Sequence, residues 1–324
     1  QYLAFRNQIN EGITNQISRT AKNFRDLCRK FNKSLDITVS DPEMNRERLY
    51  VVDGKSEHNL NIGSGYKSIA NIVLCSMGGS SNIILIDEVE NHIHPALLRS
   101  LINELRVLKN TFILMSTHSP VVINEFTIED IIDAQIGNLC SVIKDEKIRR
   151  KINTFLHPGR AELLLADNVV LVEGFTEELI LRNYIVKRRF NWTVVNVAGV
   201  MFEPYIKLCA EMKKKVVVVS DDDRVQGDNG DASSQRFENL QEICQEKSIK
   251  LVQVYNTLES DLYKNGYLNA DEFRKLIKVH EKYQSIYIAK DKKKVEIVQK
   301  LLESGTDLSN WHVVQEIENE LKGD

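Results

Sequence analysis

The sequence lacks long apolar runs, closely spaced cysteine pairs, internal repeats and low-complexity linkers. No apolar run approaches the roughly 18 residues that a membrane-spanning helix needs, so we expect no membrane partner. The N-terminus has no basic-then-apolar pattern of the kind that marks a secretory signal. The five cysteines are far apart with no CxxC pair, which argues against a zinc module or a disulfide framework. This cysteine usage favours a reducing, cytoplasmic location.

The length and net charge of the chain leave several classes of function open. A chain of 324 residues usually forms about two domains, and its net charge of −3 does not by itself indicate a nucleic-acid partner. Basic residues nevertheless cluster in four places, which together would make one basic groove, although each alone is typical of a solvated helix face. The clusters are 147–151, 187–189, 213–215 and 292–294.

Apolar runs that alternate with amphipathic segments predict an α/β protein with two units. In the first unit, strands are predicted at 83–86 and 112–115 around a helix at 95–108. In the second unit, the predicted strands are 169–172, 193–197, 216–219 and 251–254, and the predicted helices are 177–186, 204–212 and 235–245. This order indicates parallel sheets with functional residues at the carboxyl ends of their strands.

The remaining segments are less regular. A helix is predicted over 2–32, short strands over 35–39 and 49–52, and a helix over 66–77 that the Gly-Ser run at 78–81 ends. The tail from Ala270 is charged and is predicted to be mainly helical. We place the domain boundary after residue 156, which gives a first domain of 1–156 and a second of 157–324.

The predicted strand at 83–86 ends in two acids, Asp87 and Glu88. An aspartate there can hold Mg²⁺ and the following glutamate can polarise a water that attacks a γ-phosphate. The segment resembles the Walker B strand and D-loop of SMC-like and ABC-type ATPases. His118, after the next strand, is similar to their switch histidine, and Ser64 and Gly65 lie in a stretch that resembles a degenerate signature loop.

The resemblance implies an ATP site that uses these five residues, with the signature loop binding the γ-phosphate held by a partner subunit. The order of the motifs is that of the second half of an ABC-type ATPase. No GxxxxGK[ST] phosphate-binding loop occurs in the sequence, so this half cannot complete a nucleotide site by itself. A zinc site at His92 and His94 lacks a third ligand, and core packing remains an alternative for His118.

The second unit has acids at the ends of two buried strands. Glu173 ends one strand before Gly174, where glycine permits a sharp turn, and Glu177 lies one helical turn later. Three aspartates follow the strand at 216–219, and alternation puts Asp221 and Asp223 on one side of an extended chain. Like charges this close are costly, and hard oxygen ligands favour Mg²⁺ or Mn²⁺ as the relief. Two such metals about 4 Å apart can cut a phosphodiester; a polar turn is the simpler alternative.

The strand-end glutamate followed by DxD resembles the Toprim domain, and its position after an ATPase half resembles the OLD family. That family includes the Gabija nuclease subunit and retron-linked OLD effectors. The resemblance runs from about Asn61 to Leu302 and implies a Rossmann-like parallel sheet with a helical C-terminal region. It implies Glu259 as a second-metal ligand, with Asp261 a lesser candidate, and Lys294, then Lys293, as the lysine that neutralises phosphate charge.

The resemblance therefore implies a metal-dependent DNA endonuclease or nickase regulated by a linked ATPase and acting in anti-phage defence. It implies a two-metal site, ATP at the first domain, a homo-oligomer that is a dimer or higher, and a defence-system partner that is protein or nucleic acid. A Toprim primase or topoisomerase is the alternative among enzymes. A non-catalytic SMC-like scaffold is the third hypothesis, although the long heptad run that it needs is absent.

Overall fold

The computed structural model describes the chain in segments. These are 35–39, 48–52, 55–58, 63–77, 83–108, 111–155, 158–199, 202–227, 230–271, 277–279, 287–289 and 294–322. The chain divides into two compact units, Gln1–Glu125 and Phe126–Asp324, and each is described by itself. The helix predicted over 2–32 and the Gly-Ser run at 78–81 lie outside the described residues.

The first unit has an antiparallel sheet and a parallel pair of strands. The antiparallel sheet is formed by β1 (Leu35–Val39), β2 (Arg48–Val52) and β3 (Lys55–His58). The later elements are α1 (Ser64–Met77), β4 (Ile83–Ile86), α2 (Pro95–Arg106), β5 (Phe112–Met115) and α3 (Pro120–Ile123). Strands β4 and β5 pair in parallel, as predicted.

Helix α2 shows why its sequence folds as it does. The ring of His94 caps the helix by accepting a hydrogen bond from the backbone N–H of Ala96, and Pro95 occupies the first turn, where its missing N–H costs nothing. Five apolar residues recur on one face and are buried: Leu97, Leu98, Leu101, Ile102 and Leu105. Helix α2 contacts α3, while β4 and β5 are joined by their own parallel pairing.

The second unit begins with short elements and continues as an α/β layer. The short elements are a 3₁₀ turn (Ile128–Asp130), β6 (Ile132–Asp133), β7 (Gly137–Asn138), α4 (Leu139–Val142), α5 (Glu146–Phe155) and α6 (Pro158–Leu165). The layer contains β8 (Asn168–Val172), α7 (Phe175–Arg188), β9 (Thr193–Asn196), α8 (Phe202–Glu211) and β10 (Lys215–Asp221). It continues with β11 (Val225–Gly227), β12 (Gly230–Ala232), α9 (Gln235–Glu246), β13 (Lys250–Val254) and α10 (Leu258–Lys264). The tail has β14 (Ile277–Val279), β15 (Tyr287–Ala289), α11 (Lys294–Glu303) and α12 (His312–Leu321).

The main sheet has the strand order β13-β10-β8-β9, and all its pairs are parallel. Valines dominate the two central strands, and the valines of β10 are at most 6% exposed, because helices cover both faces of the sheet. Helices α7, α10, α11 and α12 enclose one face, while α8 and α9 pack on the other. The carboxyl ends of β8, β10 and β13 therefore open side by side at one edge.

Two differences from the sequence predictions concern boundaries. The segment 126–155, assigned above to the first domain, lies in the second compact unit, where Lys151 on α5 pairs with Glu203 on α8 at 3.1 Å. Where the functional domains divide stays a prediction. The tail also differs, because β14 and β15 form an antiparallel pair that α11 and α12 follow.

Among the helices that the structure describes, none combines the length and apolar character that a membrane crossing requires.

Candidate active site

The first acids of the site lie where β8 gives way to α7. Glu173 follows the strand directly, and Gly174 is the residue before the first helical turn. A side chain at Gly174 would place its Cβ 2.9 Å from Oε2 of Glu177, so glycine leaves room for that carboxylate to fold back over the turn. Glu177 is buried in the first turn of α7, where the positive end of the helix dipole favours a carboxylate.

The three aspartates at the end of β10, which begin with its last residue Asp221, have different surroundings. Asp222 is fully buried and accepts hydrogen bonds from the backbone N–H of Asn256 (2.6 Å), Nε2 of Gln253 (2.6 Å) and Nε of Arg224 (2.9 Å). Gln253 lies on β13 and Asn256 follows it, so Asp222 fastens the end of β10 to the end of β13. Its carboxylate is engaged in structure and turned away from its neighbours.

Asp223 lies in the left-handed region, with φ of 42°, which aspartate tolerates better than most residues. Its backbone N–H donates to the carbonyl of Asn256 at 3.2 Å, and its carboxylate accepts from Arg236 at 2.6 Å. The left-handed turn therefore points this carboxylate to the same place as Glu173, which Arg236 also contacts.

Glu259 enters the site from the helix after β13. Thr257 caps α10 by accepting a hydrogen bond from the N–H of Ser260, which fixes where the first turn begins. Glu259 lies in that turn and is 3% exposed. Among the described residues, its Oε2 is buried and has no hydrogen-bond partner.

The electrostatics of Asp221 show that these acids share one neighbourhood. Burial raises its pKa well above the ordinary value, and the charges of Glu177, Glu173, Glu259 and Asp223 raise it further. Its Oδ1 is also buried without a hydrogen-bond partner in the described part of the chain. The structure thus brings together the five carboxylates that the sequence predicted for the second unit.

Arg236 is a site residue that the sequence analysis missed. Its guanidinium donates to Oε2 of Glu173 (3.0 Å), to Oδ2 of Asp223 (2.6 Å) and to the backbone carbonyl of Asp221 (3.1 Å). It lies at the start of α9, in a charged helical segment that gives no local sign of this role. Only the strand order places it over the acids.

The donor set fits hard divalent cations. All five side chains offer carboxylate oxygens, and two of those oxygens are buried without partners, which is the environment a cation would relieve. Over the described residues, no group of three or more His, Cys, Asp or Glu side chains is already arranged to hold a metal ion. The guanidinium of Arg236 already pairs with two of these carboxylates, Glu173 and Asp223.

Two further predicted residues have distinct positions. Asp261, the lesser candidate, is buried away from the cluster and accepts from Nε1 of Trp311 (2.7 Å), the N–H of Tyr255 (2.8 Å) and Nε2 of His312 (2.9 Å). It ties α10 to α12. Lys294 is the first residue of α11, while Lys292 and Lys293 lie outside the described residues.

The predicted nucleotide-site residues of the first unit meet at the ends of β4 and β5. Ser116 donates from Oγ to Oδ1 of Asp87 at 2.6 Å and accepts from the N–H of Glu88 at 2.7 Å. His118 is largely exposed, and its Nε2 lies 4.0 Å from Oε1 of Glu88. Glu90 accepts from the N–H of His118 at 2.5 Å, which fixes the histidine loop.

Ser64 and Gly65 begin helix α1 beside the loop that follows β4. A Cβ at Gly65 would lie 2.1 Å from the backbone carbonyl oxygen of His92, so only glycine permits this approach. Ser64 is exposed at the N-terminus of α1. His92 has φ of 62° and His94 caps α2, so both histidines have structural positions.

Comparison with known proteins gives two family matches. A family model described as "AAA domain, putative AbiEii toxin, Type IV TA system" matches residues 1–124. A model described as "Overcoming lysogenization defect protein-like, TOPRIM domain" matches residues 164–223, which contain Glu173, Glu177, Asp221 and Asp223. No curated protein matches the chain.

One solved structure that matches part of the chain comes from work titled "Structural biochemistry of ATP-driven dimerization and DNA stimulated activation of SMC ATPases". It is 13% identical, covers 33% of this chain and 71% of its own, and aligns with a TM-score of 0.28.

Proposed function

We propose that this chain, which has the ATPase-then-Toprim architecture of the OLD family, is a metal-dependent DNA endonuclease or nickase. Its cutting site is the cluster of Glu173, Glu177, Asp221, Asp223 and Glu259. The linked ATPase region regulates the cutting. By its architecture, the protein acts in anti-phage defence as a homo-oligomer, with a further protein or nucleic-acid partner.

The observation that supports this function best is the convergence of acids from three neighbouring strand ends. Three independent segments, after β8, β10 and β13, contribute carboxylates that raise the pKa of Asp221. A fold gains no stability from gathering five like charges at one place, so a cation-binding role explains the arrangement. A polar turn would not bury Oδ1 of Asp221 and Oε2 of Glu259 without partners.

The roles of the residues follow from their positions. Glu173, Glu177, Asp221, Asp223 and Glu259 would hold the divalent metal. Bound Mg²⁺ or Mn²⁺ supplies an activated water and stabilises the leaving oxygen of a phosphodiester. Ser220 donates to Oε2 of Glu173 at 3.2 Å and so orients that carboxylate. Asp222 keeps the ends of β10 and β13 in register.

We assign to Lys294 the neutralisation of charge on the phosphate that is cut. A basic side chain suits this role because the substrate brings negative charge into a site already rich in carboxylates. Replacing Lys294 with alanine should therefore slow cutting and leave metal binding nearly unchanged.

The ATPase region would use Asp87 and Glu88 for Mg²⁺ and water, His118 to sense the γ-phosphate, and Ser64 and Gly65 for a partner subunit's nucleotide. The hydroxyl of Ser116, which donates to Asp87 and accepts from the N–H of Glu88, preorganises the ends of β4 and β5 for this role. Cutting that responds to ATP in the wild type, and no longer responds when Glu88 is replaced by glutamine, would support the regulatory link.

The test uses supercoiled plasmid with Mg²⁺, with Mn²⁺ or with EDTA. We expect nicked or linear DNA with either metal and intact plasmid in EDTA. Glu173→Gln and Asp221→Asn should lower cutting by at least about 100-fold, because each removes a ligand charge from the site. Glu238→Gln, an exposed acid on α9, is the matched control and should cut like the wild type. Full activity in either site variant would overturn the assignment.

The same assay separates the alternative functions. Relaxation to closed circles would indicate a topoisomerase, and primer synthesis on single-stranded template would indicate a primase. DNA binding without any metal-dependent change in the plasmid would favour the scaffold.

A further inference from the structure

Arg236 lies where two elements of the second unit are joined. Ser234 caps α9 by accepting a hydrogen bond from the N–H of Phe237, and its own N–H donates to the carbonyl of Asp222 at 2.9 Å. The start of the helix is therefore fixed to the chain segment that carries the aspartates. The guanidinium is held over the acids by this backbone connection.

The contacts of the guanidinium join the two central strands. One nitrogen, Nη1, donates to Glu173 after β8, and the other, Nη2, donates to Asp223 after β10. Nη2 also reaches the carbonyl of Asp221 at 3.1 Å, so both nitrogens are in use. Burial lowers the pKa of Arg236, but the charges of Glu173 and Asp223 outweigh it and the pKa is raised. The side chain is thus a permanently charged clamp, 26% exposed.

The clamp compensates only part of the acidic cluster. Glu173 and Asp223 each have the arginine as a partner, while Oδ1 of Asp221 and Oε2 of Glu259 are buried without hydrogen-bond partners in the described structure. In the proposed metal site, a cation would use Glu173 and Asp223 together with these two oxygens. The guanidinium and an incoming metal therefore need the same carboxylates.

We propose that Arg236 is the resident cation of this site and competes with divalent metal for Glu173 and Asp223. The inference rests on the proposed function, because it takes the cluster as a metal site. In the metal-free protein the arginine keeps the carboxylates of β8 and β10 together. Metal binding competes with its charged hydrogen bonds to these two acids, so the arginine raises the metal concentration at which the site fills.

The size of the effect follows from those two contacts. A hydrogen bond to a charged group contributes enough for about a tenfold change in an equilibrium constant, so Arg236→Gln should bind Mn²⁺ at least about tenfold more tightly. Arg236→Lys keeps the charge but loses the fork that spans both acids, and should give an intermediate gain.

The experiment is calorimetric titration of Mn²⁺ into the full chain without DNA, so its readout does not depend on cutting. The matched control is Arg224→Gln. Arg224 has almost the same side-chain exposure, 27% against 26%, and the same charge, but it pairs with Asp222 instead of Glu173 and Asp223. Removing a charge nearby without freeing a ligand should change Mn²⁺ affinity by less than about threefold.

A second measurement is thermal unfolding in EDTA and in Mn²⁺. In EDTA, Arg236→Gln should unfold at a lower temperature than the wild type, since the acids then repel one another without compensation. Adding Mn²⁺ should raise the unfolding temperature of Arg236→Gln by more than it raises that of the wild type. If glutamine prevents folding, the lysine variant gives the same comparison.

The outcomes separate this inference from the proposed function. If the wild type binds Mn²⁺, Glu173→Gln abolishes binding, and Arg236→Gln binds no tighter than the wild type or gains only what Arg224→Gln gains, the competition is refuted and the metal site stands. If neither the wild type nor Arg236→Gln binds Mn²⁺, the metal site itself is refuted. Tight binding seen only after the arginine is replaced would support the proposal most directly.

Discussion

Three consecutive aspartates, Asp221 to Asp223, lie at the end of β10. Replacing the middle one should harm the fold, whereas replacing the third should mainly harm the chemistry. Asp222 accepts three hydrogen bonds, from the N–H of Asn256, Nε2 of Gln253 and Nε of Arg224. Asp222→Ala removes the acceptor and leaves the donors in place. Because the bonds from Asn256 and Gln253 connect β10 to β13, their loss weakens the edge of the sheet that carries the site.

The magnitude can be worked from the surroundings of each donor. The amide of Asn256 is buried, and a buried donor without an acceptor costs about 1–3 kcal/mol. Arg224 loses the carboxylate that compensates it in a partly buried place, whereas Gln253 is exposed and turns to water. The sum is about 3–5 kcal/mol, as for breaking other buried charge pairs. Asp223→Ala should cost no more than about 1 kcal/mol, because its carboxylate is 46% exposed and its ion pair is screened.

The assay is urea unfolding in EDTA at neutral pH, followed by tryptophan fluorescence. Both tryptophans, Trp192 and the buried Trp311, lie in the second unit, so the signal reports the unit that contains the aspartates. Plasmid cutting is measured on the same samples. We expect Asp222→Ala to lose stability and Asp223→Ala to lose cutting while unfolding almost like the wild type. The reasoning is refuted if Asp222→Ala costs less than about 1 kcal/mol, or if the two variants are destabilised equally.

Two further predictions concern a glycine and a histidine. Gly65→Ala should destabilise the first unit by about 1–3 kcal/mol or more, because its Cβ would lie 2.1 Å from a backbone carbonyl oxygen. Calorimetric unfolding measures this loss. The control is Gly63→Ala, whose Cβ meets nothing within 4 Å and which should unfold like the wild type. The hydrogen bond from His312 to Asp261 raises the pKa of the histidine above 6.5, so the stability it contributes is fully present below pH 6.5 and is lost as pH rises through the raised pKa. Urea unfolding from pH 6 upward should show this decline in the wild type and a flatter profile in His312→Gln; equal slopes would contradict the assignment.

Local sequence patterns determined the elements of the second unit. Runs such as Val216–Val219 are apolar on both faces, which is possible only for a strand covered on both sides, and the structure confirms a parallel sheet enclosed by helices. The acids at the strand ends could also be placed, because parallel strands that alternate with helices end at the same edge. Glu173 and the aspartates after β10 follow from this rule alone.

The sequence could not show which acids bind a cation and which hold the fold. Asp222 and Asp261 are as acidic as their neighbours, but the partners that occupy them come from β13 and α12, far away along the chain. Alternation along a strand predicted the side of the chain on which Asp222 lies, but it did not predict which residues would hydrogen-bond to it there. That depends on strand order, which a local pattern does not encode.

Arg236 shows the same limit most clearly. Its residue type and its helical, charged surroundings are those of an ordinary surface position, so the sequence alone predicted nothing for it. The tertiary structure decided its role, because the order β13-β10-β8-β9 puts the ends of β8 and β10 next to each other beneath the start of α9. The sequence by itself determined that acids gather at one edge of a sheet; only the packing of α9 over that edge determined that a guanidinium binds them.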